Sequence, residues 1–96
     1  MPGAARLGDS CGGHGRCWPP RKNVSGSPDT FINGLPAHRQ YDTWLRHGRG
    51  RCRPHGGKLV GGSPAVLTNG LPQGRIGDSI NCGSRLVTGS PDVIID

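Results

Sequence analysis

The residues best suited to chemistry in this chain are its histidines and cysteines, of which the 96 residues contain four each. Neutral imidazoles and thiolates are the usual protein ligands of Zn²⁺. Three of these side chains follow an aspartate at nearly the same distance, four or five residues: His14 after Asp9, His47 after Asp42 and Cys82 after Asp78. The recurrence indicates three equivalent loops that each present one metal ligand.

A fourth candidate ligand emerges by counting back from the tripeptide Gly-Ser-Pro. His55 and Cys82 each lie seven residues before the glycine of such a tripeptide, so the middle loop carries two ligands, His47 and His55. The set His14, His47, His55 and Cys82 predicts a closed tetrahedral Zn²⁺ site, although iron tolerates similar ligands. A metal bound by three loops would supply folding free energy that a chain with so few apolar residues lacks.

The remaining histidine and cysteines have less defined roles. His38 sits near the repeated motif and is a reserve ligand, but a lone histidine in a basic segment is more often simply solvated. Cys11, Cys17 and Cys52 have no counterparts at equivalent positions. Each of the three is compatible with a small buried residue, a disulfide partner or an alternative metal ligand.

The loops with the candidate ligands belong to a repeated unit. Residues 26–42 and 62–78 both read GSPxxxxNGLPxxRxxD, and a third copy is split between residues 89–96 and residues 1–9. Glycine-rich chains that fold are often built from such repeats. Because the two chain ends complete one unit, we expect them to meet in space.

Each unit is expected to form a short β-hairpin. Residues 30–32 and 66–68 have strand character, and the Asn-Gly pairs that follow favour type I′ turns. The triplets 58–60 and 85–87 are predicted to pair with these hairpins as partner strands. Three units of this kind predict an all-β, pseudo-three-fold domain with essentially no helix, and the absence of glutamate agrees with that expectation.

Composition limits the class of protein further. Glycine and proline supply 27 residues and the apolar fraction is 31%, so a large apolar core is not expected. The length fits one domain over residues 1–96, with no fused effector domain. Neither a membrane-spanning run nor a signal-peptide core is present in the sequence. The net charge of +6, with Arg46, Arg49, Arg51 and Arg53 in one stretch, is compatible with nucleic acid, an anionic membrane or a solvated loop.

No catalytic site is expected. Arginine precedes aspartate by three residues in every unit, and a three-fold recurrence indicates that these pairs brace turns. The pairs are Arg6 and Asp9, Arg39 and Asp42, and Arg75 and Asp78. A metal with four protein ligands also has no open position for a reactive water.

With these features in place, the chain resembles the PAAR-repeat family. The motif for which the family is named occurs, with variation, as residues 2–6, 36–39 and 72–75. The resemblance implies a small cone with a blunt three-fold base and an apex where three histidines and one cysteine bind zinc. By position these are His14, His47, His55 and Cys82. Segments 31–32, 66–67 and 93–95 would contribute to the core and the base together.

The functional implication of the resemblance is mechanical. Family members cap the trimeric β-helical spike of contractile injection machines, either a VgrG-like spike of a type VI secretion system or the central spike of a contractile phage tail. One copy would cap each trimer and pierce the target envelope in transient contact with it. It would be assembled in the bacterial cytoplasm and delivered outside, with any effector attached non-covalently.

Two other classes of function compete with the spike tip. A zinc-dependent nucleic-acid-binding module would use the positive charge, but the paired ligand spacings of zinc fingers are missing from the sequence. A small metal hydrolase would need a metal with three protein ligands and a water.

Overall fold

The computed structural model describes residues 2–96 and contains three two-stranded antiparallel sheets, with no helix in this range. Sheet one pairs β1 with β2, sheet two pairs β3 with β4, and sheet three pairs β5 with β6. The strands are β1 (Phe31–Ile32), β2 (Leu35–Pro36), β3 (Thr43–His47), β4 (His55–Lys58), β5 (Leu67–Thr68) and β6 (Leu71–Pro72). The all-β expectation is confirmed.

Two of the hairpins turn on the Asn-Gly pairs identified in the sequence. Asn33 and Gly34 have φ values of 54° and 78°, and Asn69 and Gly70 have values of 54° and 77°. Positive φ at both central residues is what a type I′ turn requires, and asparagine and glycine tolerate it best. These two turns therefore form as predicted.

The third hairpin is assembled from the two ends of the chain. Gly3 forms an antiparallel bridge with Ile94, and the Ile95 amide donates to the Pro2 carbonyl at 3.0 Å. The two ends therefore meet, as the split repeat predicts. Met1, which opens the second half of the third copy, lies outside the described residues.

A ring of backbone hydrogen bonds joins the three units at equivalent positions. The Ala5 amide donates to Gly74, the His38 amide to Ala5, and the Gly74 amide to His38, at 2.8 to 3.0 Å. The side-chain nitrogen of Gln73, itself buried, lies 2.9 to 3.2 Å from the carbonyl oxygens of the same three residues, which share its two N–H donors. The pseudo-three-fold axis runs through this ring.

The apolar core lies beyond the ring, where Cys11, Trp44 and Ile80 occupy equivalent positions two residues after the unit aspartates. Cys11 bridges Leu86, and Ile80 bridges Leu59. A cysteine, a tryptophan and an isoleucine at one level show that the symmetry of the backbone is kept while side-chain volumes compensate one another. All five side chains are buried.

Two expectations about packing are corrected by the structure. The triplets 58–60 and 85–87 do not pair with the Asn-Gly hairpins: Lys58 ends β4 and pairs with Thr43, while Leu59 and Leu86 bridge the loop of a neighbouring unit and are buried. Of the segments expected in the core and the base together, 31–32, 66–67 and 93–95, none belongs to the apolar core, and Phe31 and Leu67 are 58% and 63% exposed. Two-residue strands are too short to bury both faces, so burial falls to the segments between hairpin and loop.

The arginine–aspartate pairs brace the turn of each unit, as predicted. The ion pairs measure 3.2 Å for Arg6 and Asp9, 3.0 Å for Arg39 and Asp42, and 2.8 Å for Arg75 and Asp78. In each pair the carboxylate also accepts the backbone amide of its arginine. The molecule is elongated, with extents of 39 × 25 × 21 Å, and none of the described residues forms a helix able to cross a membrane.

Candidate metal centre

Beyond the core, four metal-binding side chains converge. One donor atom from each lies within 4.8 Å of the donors of the others, and the residues are His14, His47, His55 and Cys82. This is the set that the spacing of the repeats predicts. Their assignment as ligands stays a prediction, while their convergence is a property of the fold.

The β3–β4 sheet positions two of the four candidate ligands. His47 ends β3 and His55 begins β4, and the two residues are paired across the sheet, with an irregularity between Trp44 and His47. The irregularity matters because it changes which side chains point to the same face. Both imidazoles thereby reach the same point.

The other two side chains come from tight turns. The His14 amide donates to the Trp18 carbonyl at 2.9 Å, closing a turn in which Gly15 has φ of 73°. Cys82 lies in a turn that is closed by a hydrogen bond of 2.8 Å from the Ile80 amide to the Ser84 carbonyl. Gly83 in this turn has φ of 106°. Glycine is the residue that adopts these conformations without steric cost.

The three histidines face one another through the same ring nitrogen. Their Nε2 atoms lie 3.1 Å apart for His14 and His47, 2.9 Å for His14 and His55, and 2.8 Å for His47 and His55. The Cys82 Sγ lies 4.0 Å from His47 Nε2. A neutral imidazole nitrogen offers either one proton or one lone pair, so this triangle cannot be satisfied by hydrogen bonds alone. A shared cation satisfies three converging lone pairs and a sulfur.

The surroundings of His47 set its tautomer. Its Nδ1 lies 2.8 Å from the Pro19 carbonyl, which can only accept, so Nδ1 carries the proton and Nε2 keeps its lone pair. A backbone carbonyl on the second nitrogen is a common support for a metal-binding histidine. The ring is therefore already oriented for a ligand role.

Protonation of two of the four side chains, His47 and His55, is disfavoured. Burial lowers the pKa of His47, with the nearby Arg21 charge adding to that effect and the Pro19 carbonyl opposing it. Burial also lowers the pKa of His55, assisted by the neighbouring His14 and by Arg21. Both rings are thus favoured in the neutral form, which is the form that binds metal.

Arg21 is a supporting residue that the sequence did not reveal. It is 7% exposed, and its Nη2 donates to the Cys82 sulfur at 3.2 Å, while its Nε and Nη1 have no partner among the described residues. The guanidinium lies over the Trp44 ring at 5.8 Å. A buried cation is costly without a polar partner, and the Cys82 sulfur is the hydrogen-bond partner that the structure gives this guanidinium.

Trp18 is a second supporting residue that the sequence did not reveal. Its ring stacks on His14 at 5.0 Å and on His55 at 5.3 Å between centroids. The sequence did contain one signal for this role, since Trp18 is an aromatic residue four positions after the candidate ligand His14. The stacking limits the rotation of both imidazoles.

His38 does not join the cluster, so the structure gives no support to the reserve ligand. It is not solvated either: it is 0% exposed, its Nδ1 bonds the Ser25 carbonyl at 2.9 Å, and its ring meets Trp44 edge-on at 5.3 Å. Its equivalents are Ala5 and Gly74, and these small residues leave the axis free for one imidazole.

The structure decides among the roles left open for the cysteines. Cys17 and Cys52 form a disulfide, and Cys11 is a buried residue with a free thiol. The disulfide joins the turn after His14 to the loop between His47 and His55. It therefore fastens two loops that carry candidate ligands, and neither of its sulfurs belongs to the cluster.

Comparison with known families gives one informative result. The family model described as PAAR motif matches residues 49–96, half of the chain, a range that includes His55 and Cys82. No curated protein sequence matches.

Proposed function

Because the chain belongs to the PAAR motif family, we propose that it is the tip of a contractile injection machine, seated as one copy on a trimeric β-helical spike protein. The family supports a spike-tip role in general. The finer proposal, one copy per trimer, follows from symmetry matching. It applies equally to a type VI secretion spike and to a phage tail spike.

The observation that carries the proposal is the pseudo-three-fold order of the backbone in a single chain. The ring formed by Ala5, His38 and Gly74 repeats one hydrogen bond three times. A monomer with this symmetry can offer nearly the same surface to each chain of a trimer, so that all three spike chains are engaged by one molecule. An asymmetric monomer could match only one of them.

The end of the molecule formed by β1–β2, by β5–β6 and by the paired chain ends, here called the hairpin end, supplies a surface for the spike. Exposed apolar side chains at this end come from all three units: Phe31 and Leu35 in the first, Leu67 in the second and Ile94 in the third, between 40% and 63% exposed. Short strands with open edges can also continue the strands of a β-helix by backbone hydrogen bonds. Covering them would remove edges prone to aggregation.

The metal in this proposal is Zn²⁺, bound by His14, His47, His55 and Cys82. Three imidazoles and one thiolate match the ligand preference of zinc in structural sites, and four protein ligands complete its coordination. Its role here is to join the three loops, and the proposal assigns the chain no enzymatic activity. Assembly on the spike in the cytoplasm and delivery by contraction belong to the same proposal.

Co-expression with the C-terminal β-helix of candidate trimeric spikes tests the proposal, with native mass spectrometry reading the stoichiometry. We expect one copy of this chain per three spike chains. Leu67→Asp should abolish the complex, whereas Val87→Asp, at an exposed apolar residue on the side of the body, should leave it intact. A complex with three copies per trimer, or equal loss in both variants, would contradict the proposal.

A further inference from the structure

Four arginines occupy the two loops that extend beyond the metal centre. The turn at residues 15–17 carries Arg16, and the loop at residues 48–54, between His47 and His55, carries Arg49, Arg51 and Arg53. All four side chains are exposed. We call these two segments the arginine tip, because they lie beyond the His/Cys cluster, at the end of the molecule that faces away from the hairpins.

The arginine tip is a fastened structure and not two loose loops. The disulfide of Cys17 and Cys52 joins its two segments, and the Arg49 amide donates to the Cys17 carbonyl at 2.7 Å. The Trp18 indole donates to the Arg53 carbonyl at 3.0 Å while its ring stacks on the cluster. The arginine side chains therefore project from an ordered backbone, which lowers the entropy cost of binding a partner.

No carboxylate neutralises the tip. Residues 10–28 and 43–77 contain no acidic residue. Among residues 2–96, three aspartates are held in the turn-bracing ion pairs, and Asp29 and Asp92 accept hydrogen bonds from the hairpin asparagines at the other end. Charge is thus separated along the molecule, with unpaired positive charge concentrated at the tip.

We propose that the arginine tip binds an anionic lipid surface through its phosphate groups. Guanidinium groups bind phosphate oxygens in a bidentate manner, and clustered arginines are attracted to anionic lipids. The inference deepens the proposed function, because seating the hairpin end on a spike leaves this end outermost and first to meet a target envelope.

A lipid surface fits the tip better than nucleic acid does. Single strands are held by aromatic side chains that stack on bases, and Trp18, the aromatic residue at the tip, already stacks on His14 and His55. The tip also consists of two projecting loops and offers no strand or helix to place in a groove. Binding to the phosphate groups of a fluid lipid surface through many weak contacts requires neither stacking aromatic side chains nor an element that fits a groove.

Vesicle co-sedimentation of the zinc-loaded, disulfide-bonded protein tests the inference. The probes are vesicles of phosphatidylcholine with phosphatidylglycerol, and vesicles of phosphatidylcholine alone. We expect binding only to the anionic vesicles, lost when NaCl rises from about 50 mM to about 500 mM, because salt screens exposed charges.

A charge-matched pair of variants separates the tip from net charge. Arg49→Gln, Arg51→Gln and Arg53→Gln together, and Lys22→Gln, Lys58→Gln and Arg85→Gln together, each lower the formal charge of +6 by three, and all six residues are exposed. The tip variant should lose about tenfold or more in affinity for anionic vesicles and the body variant about threefold or less, given the usual contribution of a basic residue near such a surface.

Three outcomes would overturn the inference: no binding to anionic vesicles, equal loss in the two variants, or binding of duplex DNA in preference to vesicles with the same dependence on the tip. Spike binding measured on the same variants keeps the two proposals apart. Both variants should still form the complex with the spike, so a failure of vesicle binding with the complex intact concerns the tip alone. A failure of the complex with vesicle binding intact concerns the proposed function alone.

Discussion

At the scale of single residues, the cluster depends on side chains that prepare it from outside. The Pro19 carbonyl sets the tautomer of His47, and Arg21 contacts the sulfur of Cys82. Trp18 limits the movement of two imidazoles by stacking. Loss of such a supporting contact typically weakens metal binding by about 10- to 100-fold.

The Cys82→Ala variant should lose the bound metal and with it at least about 2 kcal/mol of stability, roughly 10 °C in Tm for a domain of this size. Three imidazoles would remain, without the sulfur ligand. Elemental analysis and thermal unfolding measure both effects. Cys11→Ala is the control, since that thiol is buried in the core and outside the cluster, and it should keep the metal.

The Arg21→Met variant should bind zinc about tenfold more weakly while keeping all four ligands, because the sulfur loses its charged donor. Competition with a chromophoric chelator gives the affinity. Lys22→Met removes the adjacent, exposed positive charge and should bind zinc as the natural protein does. An equal loss of zinc affinity in the two variants would show that Arg21 acts only through its long-range charge and not through its contact with the sulfur.

His38 gives the domain a dependence of stability on pH that is separate from metal binding. Burial lowers the pKa of His38 below its ordinary value of 6.5, so the unfolded chain takes up the proton first as the pH falls. The stabilisation due to the neutral ring is complete above about pH 6.5 and decreases below it, by roughly 1 kcal/mol per pH unit. Urea unfolding across this range should show the cost of His38→Ala shrinking as the pH falls. A cost that does not change with pH would contradict the assignment.

At the scale of elements, the hairpins and the loops have different sources of order. β1–β2 and β5–β6 are specified locally by Asn-Gly turns with positive φ. The loop at residues 48–54 has no comparable turn sequence, and its one residue with positive φ is Gly50, at 60°. It is held by the disulfide, by Trp18 and by the pairing of His47 with His55 at its two ends.

The paired substitutions Cys17→Ser and Cys52→Ser should lower stability by about 3 to 4 kcal/mol, because the disulfide closes a loop with a sequence separation of 35. Metal should be retained at one equivalent, since neither sulfur belongs to the cluster. Denaturant unfolding and elemental analysis measure the two quantities. Loss of metal on a par with Cys82→Ala would show instead that the disulfide is needed to form the site.

At the scale of the whole molecule, a closed three-fold arrangement is made from an open chain. The hairpin tips bind around the axis: Asn33 donates to Asp92 at 2.7 Å, Asn69 donates to Asp29 at 2.8 Å, and the Ser63 hydroxyl donates to the Asp96 carbonyl. Asp96 stands in the third unit where the others have asparagine. The third unit is therefore closed by tertiary contacts between residues 2–3 and 94–95, where the other two units have a continuous Asn-Gly turn.

A circular permutant tests this closure. One glycine inserted between Asp96 and Met1 completes an Asp-Gly hairpin turn, and new termini can be opened between Asn69 and Gly70. We expect the permutant to keep its metal and a Tm within about 10 °C of the natural chain, since the break only moves to an equivalent turn. Opening the chain between Arg75 and Asp78 should unfold it, because that turn is braced by an ion pair. Circular dichroism and elemental analysis compare the two.

The sequence by itself determined the repeated unit, the type I′ turns, the meeting of the chain ends and the four side chains that converge in the His/Cys cluster. These features could be read because each depends on residues close together in the chain or at equal spacing in every copy. Asn33-Gly34 encodes its turn locally, and His14, His47 and Cys82 are related by the same count from an aspartate.

Only the tertiary structure decided which cysteines pair, that His38 is buried and apart from the cluster, and that Leu59 and Leu86 build the core while the hairpins stay exposed. It also placed Arg21 against Cys82. These properties depend on residues that are distant in the chain and break the repeat. Where the three units differ, side-chain volumes and charges must compensate across the axis, and no spacing within one unit encodes that compensation.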